Sequence, residues 1–118
     1  MPYTPEKILI DLYYDKSIKL YLLTQLASND DLYHIENRLG RYIARKGVSN
    51  TVAKTVCNLM MIGLGISPFK PIITTVRRAN QIEKICIEEG IRYEKTAHKH
   101  NCKIIINLFS DGKSEYKF

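Results

Sequence analysis

Residues 30–66 read DDLYHIENRLGRYIARKGVSNTVAKTVCNLMMIGLGI, a sequence that predicts two helices joined by a short turn. Apolar residues recur at steps of three and four along its first part, as on one face of an α-helix: Leu32, Ile35, Leu39 and Ile43. Asp30 or Asp31 can cap the start of this helix, which we expect to run to about Lys46. Gly47 then offers the left-handed residue that commonly ends a helix.

The helix after the turn is predicted to begin at Ser49, whose side chain can cap it, and to extend through Ile62. Four apolar residues form its predicted buried stripe: Val52, Val56, Leu59 and Met60. Gly63 and Gly65 follow and end the helical pattern. Small polar and basic residues are left on the exposed side of its first turns: Asn50, Thr51 and Lys54.

The N-terminal segment also carries helical patterns. Thr4 followed by Pro5 predicts the start of a helix, because the threonine can cap it and proline suits the first helical position. Apolar residues continue at helical spacing as far as Leu26, and a polar cluster at 28–31 ends the pattern. The sequence leaves open whether residues 15–17 interrupt this stretch.

After Pro68 the pattern changes from helical to extended, because β-branched residues become frequent. The predicted elements are a strand over 72–76, a short helix over 82–90, and two strands over 91–95 and 103–109 joined by a basic turn. Asp111 and Gly112 form a tight-turn signal. Residues 113–118 either return as an edge strand or fray.

Positive charge is concentrated in the middle of the chain. The 118 residues carry a formal charge of +6, whereas the segment between Glu36 and Glu83 carries +8 and no acidic residue. Its cations are Arg38, Arg41, Arg45, Lys46, Lys54, Lys70, Arg77 and Arg78. Ordinary solvated surfaces mix both signs, whereas a one-sign block attracts polyanions. The charge pattern therefore favours nucleic acid as a partner.

The two helices that meet at Gly47-Val48-Ser49 resemble a helix-turn-helix, and the resemblance covers residues 17–66. The turn is similar to the G-V-S-x-x-T-V pattern of helix-turn-helix regulators, and Gly63-Leu64 is similar to the end of a winged-helix recognition helix. In such proteins the second helix enters the major groove of DNA. The resemblance implies base contacts from Ser49, Asn50, Thr51 and Lys54, with Asn50 suited to adenine.

A second interpretation places a strand over residues 41–45 and a basic turn before the next helix. The resulting order, β-α-β-α-β-β, resembles the Alba-like family over residues 40–109, in which basic elements bind DNA or RNA, often as a dimer. The matching positions here are Arg45 and Lys46, then Arg77 and Arg78, then Lys95, Lys99 and Lys103. The helical spacing of the apolar residues in 32–43 argues against the strand. Both interpretations assign phosphate contacts to Arg45, Lys46, Arg77 and Arg78.

We therefore predict an α+β fold whose helical N-terminal half contains a helix-turn-helix-like unit and is followed by a small β-α-β-β portion. The length indicates a single domain over residues 1–118, helical over 1–66 and β-rich with one short helix over 67–118. No apolar run is long enough to span a membrane, and the N-terminus lacks the pattern of a signal peptide. Cys57, Cys86 and Cys102 show no paired spacing, which indicates free thiols and a cytoplasmic location.

Other candidate functional groups give weaker signals. His98, His100 and Cys102 would share one face of an extended segment, but the outer two are too far apart to share an ion easily, so no metal site is predicted. Tyr42 and Tyr93 lie beside basic residues and are candidates for stacking on bases. Paired carboxylates, an activated nucleophile and a phosphate-binding glycine loop are all missing from the sequence. We predict neither enzyme activity nor a cofactor.

The sequence thus predicts a DNA-binding protein that acts in the regulation of transcription or replication, of the kind found in phages and plasmids. Its predicted nucleic-acid-binding residues are Arg41, Arg45, Lys46, Ser49, Asn50, Thr51, Lys54, Arg77, Arg78, Lys95, Lys99 and Lys103. DNA is favoured over RNA, and an RNA-binding protein of the Alba-like kind, which implies a homodimer, is one alternative. A small interaction protein that binds an acidic partner protein is another.

Overall fold

The computed structural model describes residues 7–97 and 103–112. Within these residues the order is α1 (Ile8–Tyr13), α2 (Lys16–Ala27), α3 (Leu32–Ala44), α4 (Asn50–Gly63), β1 (Phe69–Thr74), α5 (Val76–Glu89), β2 (Arg92–Ala97) and β3 (Ile104–Phe109). A short 3-10 turn, Ser110–Gly112, follows β3. A helical N-terminal part followed by strands with one helix between them confirms the predicted α+β class.

The chain divides into two compact units, with the boundary between Cys57 and Asn58 inside α4. The first unit contains α1, α2, α3 and the start of α4, and the second contains the end of α4 with the three strands and α5. The single domain inferred from length stays a prediction. None of the helices in the described ranges has the length and apolar character needed to cross a membrane.

Two aspartates set the helix boundaries of the first unit. Asp15 interrupts the N-terminal helical stretch, because its Oδ1 accepts hydrogen bonds from the backbone N–H groups of Ser17, at 2.8 Å, and Ile18, at 3.3 Å, and so caps α2. Asp31 rather than Asp30 caps α3 and accepts from the N–H of Tyr33 at 2.8 Å. The predicted start at residues 4–5 lies outside the described residues.

The core of the first unit is built from the apolar stripes of its helices. Fully buried side chains come from α1, α2 and α3: Leu9, Leu12, Ile18, Leu22, Ile35, Leu39 and Ile43. Each buried leucine or isoleucine contributes roughly 1.5–3 kcal/mol to folding. Because this stripe continues to Ile43, α3 runs through Ala44, and the alternative strand over residues 41–45 is wrong.

The helix α4 buries most of its surface. The predicted buried stripe of Val52, Val56, Leu59 and Met60 is confirmed, and further residues around the helix are also buried: Ala53, Thr55, Cys57, Met61 and Ile62. Exposed side chains are confined to the start of α4. This arrangement fixes the helix in the structure and leaves its N-terminal end open to solvent.

The second unit contains a three-stranded antiparallel sheet in the order β1-β3-β2. The register places Ile72 of β1 beside Ile106 of β3, and Leu108 of β3 beside Tyr93 of β2. Side chains of alternate residues therefore share a face, and Ile72, Ile106 and Leu108 are all buried. The helix α5 contacts the same face, because Glu83 of α5 accepts a hydrogen bond from Tyr93.

The helix α5 begins six residues earlier than predicted, at Val76 rather than Ile82. Thr75 caps it by accepting from the backbone N–H of Arg78 at 3.2 Å, so the predicted strand over 72–76 ends at Thr74. The reason is that the hydroxyl of a threonine can cap a helix even inside a run of β-branched residues. The proposed edge strand over 113–118 lies outside the described residues.

Candidate nucleic-acid interface

The turn between α3 and α4 is closed by local hydrogen bonds. Gly47 has a φ of +94°, in the left-handed region that glycine adopts without strain, and its N–H donates to the carbonyl of Ala44 at 3.1 Å. The Ser49 hydroxyl accepts from the N–H of Val52 at 3.2 Å and so caps α4 as predicted. Residues 45–49 therefore form a short, hydrogen-bonded turn, and α3, this turn and α4 together make a helix-turn-helix-like unit.

The predicted base-contacting residues lie together at the start of α4. Ser49, Asn50, Thr51 and Lys54 are all exposed. Asn50 and Lys54 are four residues apart on the helix, so their side chains lie on one face about 6 Å apart along the axis. The Ser49 hydroxyl is already engaged in the cap, which leaves the amide of Asn50 and the hydroxyl of Thr51 as the better groups for recognition.

A second exposed row runs along α3 toward the turn. Asn37, Arg41 and Arg45 recur at steps of four and are exposed, on the side away from buried Leu39 and Ile43. Asn37 is missing from the predicted site, although its spacing from Arg41 could have identified it. We define the exposed row of α3 and the start of α4 together as the turn surface, made of Asn37, Arg41, Arg45, Asn50, Thr51 and Lys54.

The cations of the turn surface are not neutralised by neighbouring acids. Within residues 7–97 and 103–112, Arg41, Arg45 and Lys54 make no ion pair within 4.0 Å. Exposed guanidinium and ammonium groups without a carboxylate neighbour keep their hydrogen-bond donors available for phosphate oxygens. The turn surface therefore combines three cations that have no ion pair within the described ranges with three polar side chains, Asn37, Asn50 and Thr51.

Lys46 differs from its neighbour Arg45, because its charge is offset within the fold. Its Nζ lies 3.5 Å from Oδ2 of Asp15 and donates to the hydroxyl of Ser17 at 2.8 Å. Burial raises the pKa of Asp15, but hydrogen bonds from Ser17 and the charge of Lys46 outweigh that effect and hold the pKa below its usual 3.8. Through these contacts with Asp15 and Ser17, Lys46 stabilises the packing of the C-terminal end of α3 near the start of α2.

The charge of Arg38 is also offset within the fold, by the carboxylate of Asp30. Its Nη1 lies 2.9 Å from Oδ2 of Asp30, and its Nε donates to Oε1 of Gln25 at 2.6 Å. Acids that precede the positive segment in the sequence therefore fold back on two of its eight cations. Although the segment itself contains no acidic residue, the charges of Arg38 and Lys46 are therefore offset in the folded chain.

In the second unit, Arg77 and Arg78 lie in the first turn of α5, with Arg77 exposed and Arg78 half-buried. A helix N-terminus carries partial positive charge and normally attracts acids, so two arginines there strengthen the local positive potential. The register pairs Thr74 at the end of β1 with Ile104 at the start of β3. Lys103 is exposed next to Ile104, so Arg77, Arg78 and Lys103, which we call the sheet-end cations, all lie near the end of the sheet where β1 finishes and β3 begins.

The remaining predicted residues of this unit are engaged or lie outside the described residues. Lys95 donates to Oε1 of Glu83 at 2.9 Å, and the hydroxyl of Tyr93 donates to Oε2 of the same carboxylate at 2.6 Å. The bond to Glu83 raises the pKa of Tyr93 to about 12. Lys95 and Tyr93 therefore hold β2 to α5. Lys99 lies outside the described residues.

The second stacking candidate, Tyr42, is also used inside its unit. Its ring stacks on that of Tyr21 with centroids 4.3 Å apart and planes 5° from parallel, and the Lys46 Nζ lies 5.4 Å from its centroid. A ring covered in this way offers little surface to a base. Neither tyrosine is therefore retained in the candidate interface.

Within residues 7–97 and 103–112, no three His, Cys, Asp or Glu side chains lie close enough together to hold a metal ion. His98, His100 and Cys102 lie outside those ranges. Comparisons with known protein families, curated proteins and solved structures find no match to this chain.

Proposed function

We propose that this protein binds nucleic acid, with duplex DNA held by the turn surface, and that it acts in the regulation of transcription or replication. The observation that carries the proposal is a set of three exposed cations, Arg41, Arg45 and Lys54, which make no ion pair with any residue of the described part of the chain and lie with the exposed polar start of α4. The free thiols of Cys57 and Cys86, both buried, suit the reducing cytoplasm.

The two parts of the turn surface would have different roles, phosphate binding by α3 and groove recognition by α4. Arg41 and Arg45 lie on the exposed side of α3 and would hold phosphates, which fixes the position of the protein without reading sequence. The start of α4 would enter the major groove, which is about 12 Å wide and admits a helix. Asn50 and Thr51 would then meet base edges, with the amide of Asn50 able to pair with both N6 and N7 of adenine.

RNA is the second candidate ligand, and the cations of the second unit are the residues that would hold it. Arg77, Arg78 and Lys103 lie near the same end of the sheet in the second unit, and the Alba-like resemblance implies phosphate contacts at these positions. Phosphate contacts alone do not distinguish DNA from RNA. The choice between the two ligands therefore needs a direct comparison.

The experiment is a fluorescence-anisotropy titration of labelled duplex DNA, single-stranded DNA and duplex RNA at several salt concentrations. We expect duplex DNA to bind most tightly, and the double variant Arg41→Ala/Arg45→Ala to bind it more weakly with a smaller salt slope. The slope of log K against log salt should fall by about 2, since each phosphate contact contributes about 0.9.

The matched control is Lys7→Ala/Lys84→Ala, which removes the same charge from two exposed lysines outside the predicted site. If both double variants lose affinity equally, general charge rather than the turn surface is responsible. Tighter binding to duplex RNA would select the RNA-binding alternative. Absence of binding to all three ligands at low salt would contradict nucleic-acid binding and favour an acidic protein partner.

A further inference from the structure

The helix α2 has apolar residues on two faces, and the core uses one of them. Ile18 and Leu22 are buried, whereas Leu20 and Leu23 are 66% and 41% exposed. A surface helix normally needs one apolar stripe toward the core and a polar opposite face. The second stripe of α2 is therefore a surface without a function in the packing of its own unit.

The exposed stripe has a symmetric spacing. Lys16, Leu20, Leu23 and Ala27 are all exposed and follow one another at steps of four, three and four, so they form one line along the helix. The steps are the same when they are read from either end. A two-fold axis between Leu20 and Leu23 would therefore place Leu20 of one copy against Leu23 of a second, with Lys16 against Ala27.

Charge favours this antiparallel arrangement. In it, the ammonium of Lys16 lies near the C-terminal end of the other α2, whose last carbonyl groups carry partial negative charge. The exposed side chain of Asp31 follows that helix end. A small residue, Ala27, faces the long lysine and leaves room for it. A parallel pair would instead place the two Lys16 side chains against each other.

We propose that the protein forms a homodimer through antiparallel packing of the exposed α2 stripes, with Leu20 and Leu23 as its centre. The interface is isologous, so each residue contributes twice. Since the apolar centre is small, the expected dissociation constant is in the micromolar range. The proposal goes beyond nucleic-acid binding and does not depend on it.

The test is sedimentation equilibrium of the full chain without nucleic acid, over about 10–300 µM protein. We expect a monomer–dimer equilibrium for the wild type. Leu20→Glu and Leu23→Glu should each raise the dissociation constant by about 100-fold or more, because a charge enters the apolar centre twice. Ile87→Glu, on α5 at a side chain that is 70% exposed, is the matched control and should leave it unchanged.

The orientation is tested by Lys16→Gln, which should weaken an antiparallel dimer severalfold and strengthen a parallel one. Circular dichroism verifies that each variant is folded, as expected for changes at exposed positions. A wild type that stays monomeric throughout overturns the proposal. So does a folded Leu20→Glu or Leu23→Glu variant that dimerises like the wild type, and tighter association of Lys16→Gln overturns the antiparallel arrangement.

Discussion

Asn50 is the first residue of α4, and its exposed amide can donate and accept hydrogen bonds toward one base edge. We expect Asn50→Ala to reduce the preference for a selected duplex over a random one by about 5- to 150-fold, the value of one bidentate pair. Affinity for random duplex should change little, because phosphate contacts supply it. The measurement is selection of a preferred site from a random library, followed by competition binding.

Asn80→Ala is the control for this prediction, since Asn80 is an exposed asparagine on α5, outside the predicted site. It should leave the preference unchanged. An equal loss of affinity for selected and random duplexes would show that Asn50 contributes to general binding and reads no base.

Glu83 makes the stability of the second unit depend on pH. Hydrogen bonds from Tyr93 and Lys95 lower the pKa of Glu83 below its usual 4.5, so its stabilising effect is complete above that value and is lost as the pH falls through the lowered pKa. We expect Glu83→Gln to lower the free energy of unfolding at neutral pH by about 1 kcal/mol. Below about pH 4 the difference from the wild type should shrink.

Urea unfolding at neutral pH and at several acidic pH values measures this difference. The control is Glu88→Gln, an identical change at an exposed glutamate of the same helix. A difference between wild type and Glu83→Gln that is the same at every pH would contradict the assigned role of the carboxylate.

Single residues also show where prediction from sequence ends. Arg45 and Lys46 are adjacent and were given the same role, yet Lys46 pairs with Asp15 whereas Arg45 makes no ion pair within the described ranges. Asp15 is distant in the sequence, and only the packing of α2 against α3 brings it near Lys46. Composition therefore predicts the amount of charge in a segment, but the fold decides which charges stay free.

At the scale of elements, the turn between α3 and α4 depends on Gly47. Its φ of +94° is unfavourable for any residue with a Cβ, although no atom lies within 4 Å of where that Cβ would be. We expect Gly47→Ala to lower the free energy of unfolding by about 1–2 kcal/mol, through backbone strain alone. Denaturant unfolding measures the change, and DNA affinity should fall further if the turn orients α4.

Gly40 provides the opposite case in the same helix pair. It lies inside α3, and a Cβ at Gly40 would also meet nothing within 4 Å. Gly40→Ala should therefore raise stability by about 0.5–1 kcal/mol, because alanine loses less entropy than glycine in a helix. Changes of the same sign for both variants would contradict the conformational account of Gly47.

Elements with a long, regular apolar period were the ones that the sequence could predict. The stripes of α3 and α4 stand out because their apolar residues repeat at helical spacing: Ile35, Leu39 and Ile43 of α3 are buried, although Leu32 at its start is exposed, and the whole predicted stripe of α4 is buried. The start of α5 was missed, since Thr75 and Val76 continue a β-branched run and give no helical period of their own. The start of α5 is set by the hydrogen bond from the N–H of Arg78 to the hydroxyl of Thr75, and the sequence pattern does not show this bond.

At the scale of the whole molecule, the fold class followed from the change of period after Pro68, but the strand order β1-β3-β2 did not. Strand pairing depends on contacts between distant residues, such as Ile72 with Ile106, that local patterns do not encode. The same limit applies to the candidate interface. The positive segment is evident in the sequence, but the sequence does not show that its exposed cations separate into those of the turn surface and those at the end of the sheet.

Two sets of cations, one in each unit, are candidates for phosphate contacts, and the salt dependence of binding can count how many of them meet phosphates. We expect Arg41→Ala/Arg45→Ala and Arg77→Ala/Arg78→Ala each to reduce the slope of log K against log salt by about 2 on the preferred nucleic acid. The fourfold variant should reduce it by between about 3 and 4, because released counterions add independently of which unit the contact belongs to.

Anisotropy titrations at a series of salt concentrations measure these slopes, with Lys7→Ala/Lys84→Ala as the control for lost charge. If only Arg41→Ala/Arg45→Ala changes the slope, the sheet-end cations contact no phosphate and the turn surface is the whole interface. If only Arg77→Ala/Arg78→Ala changes the slope, binding is assigned to the sheet-end cations. In that case the helix-turn-helix-like unit would have another role.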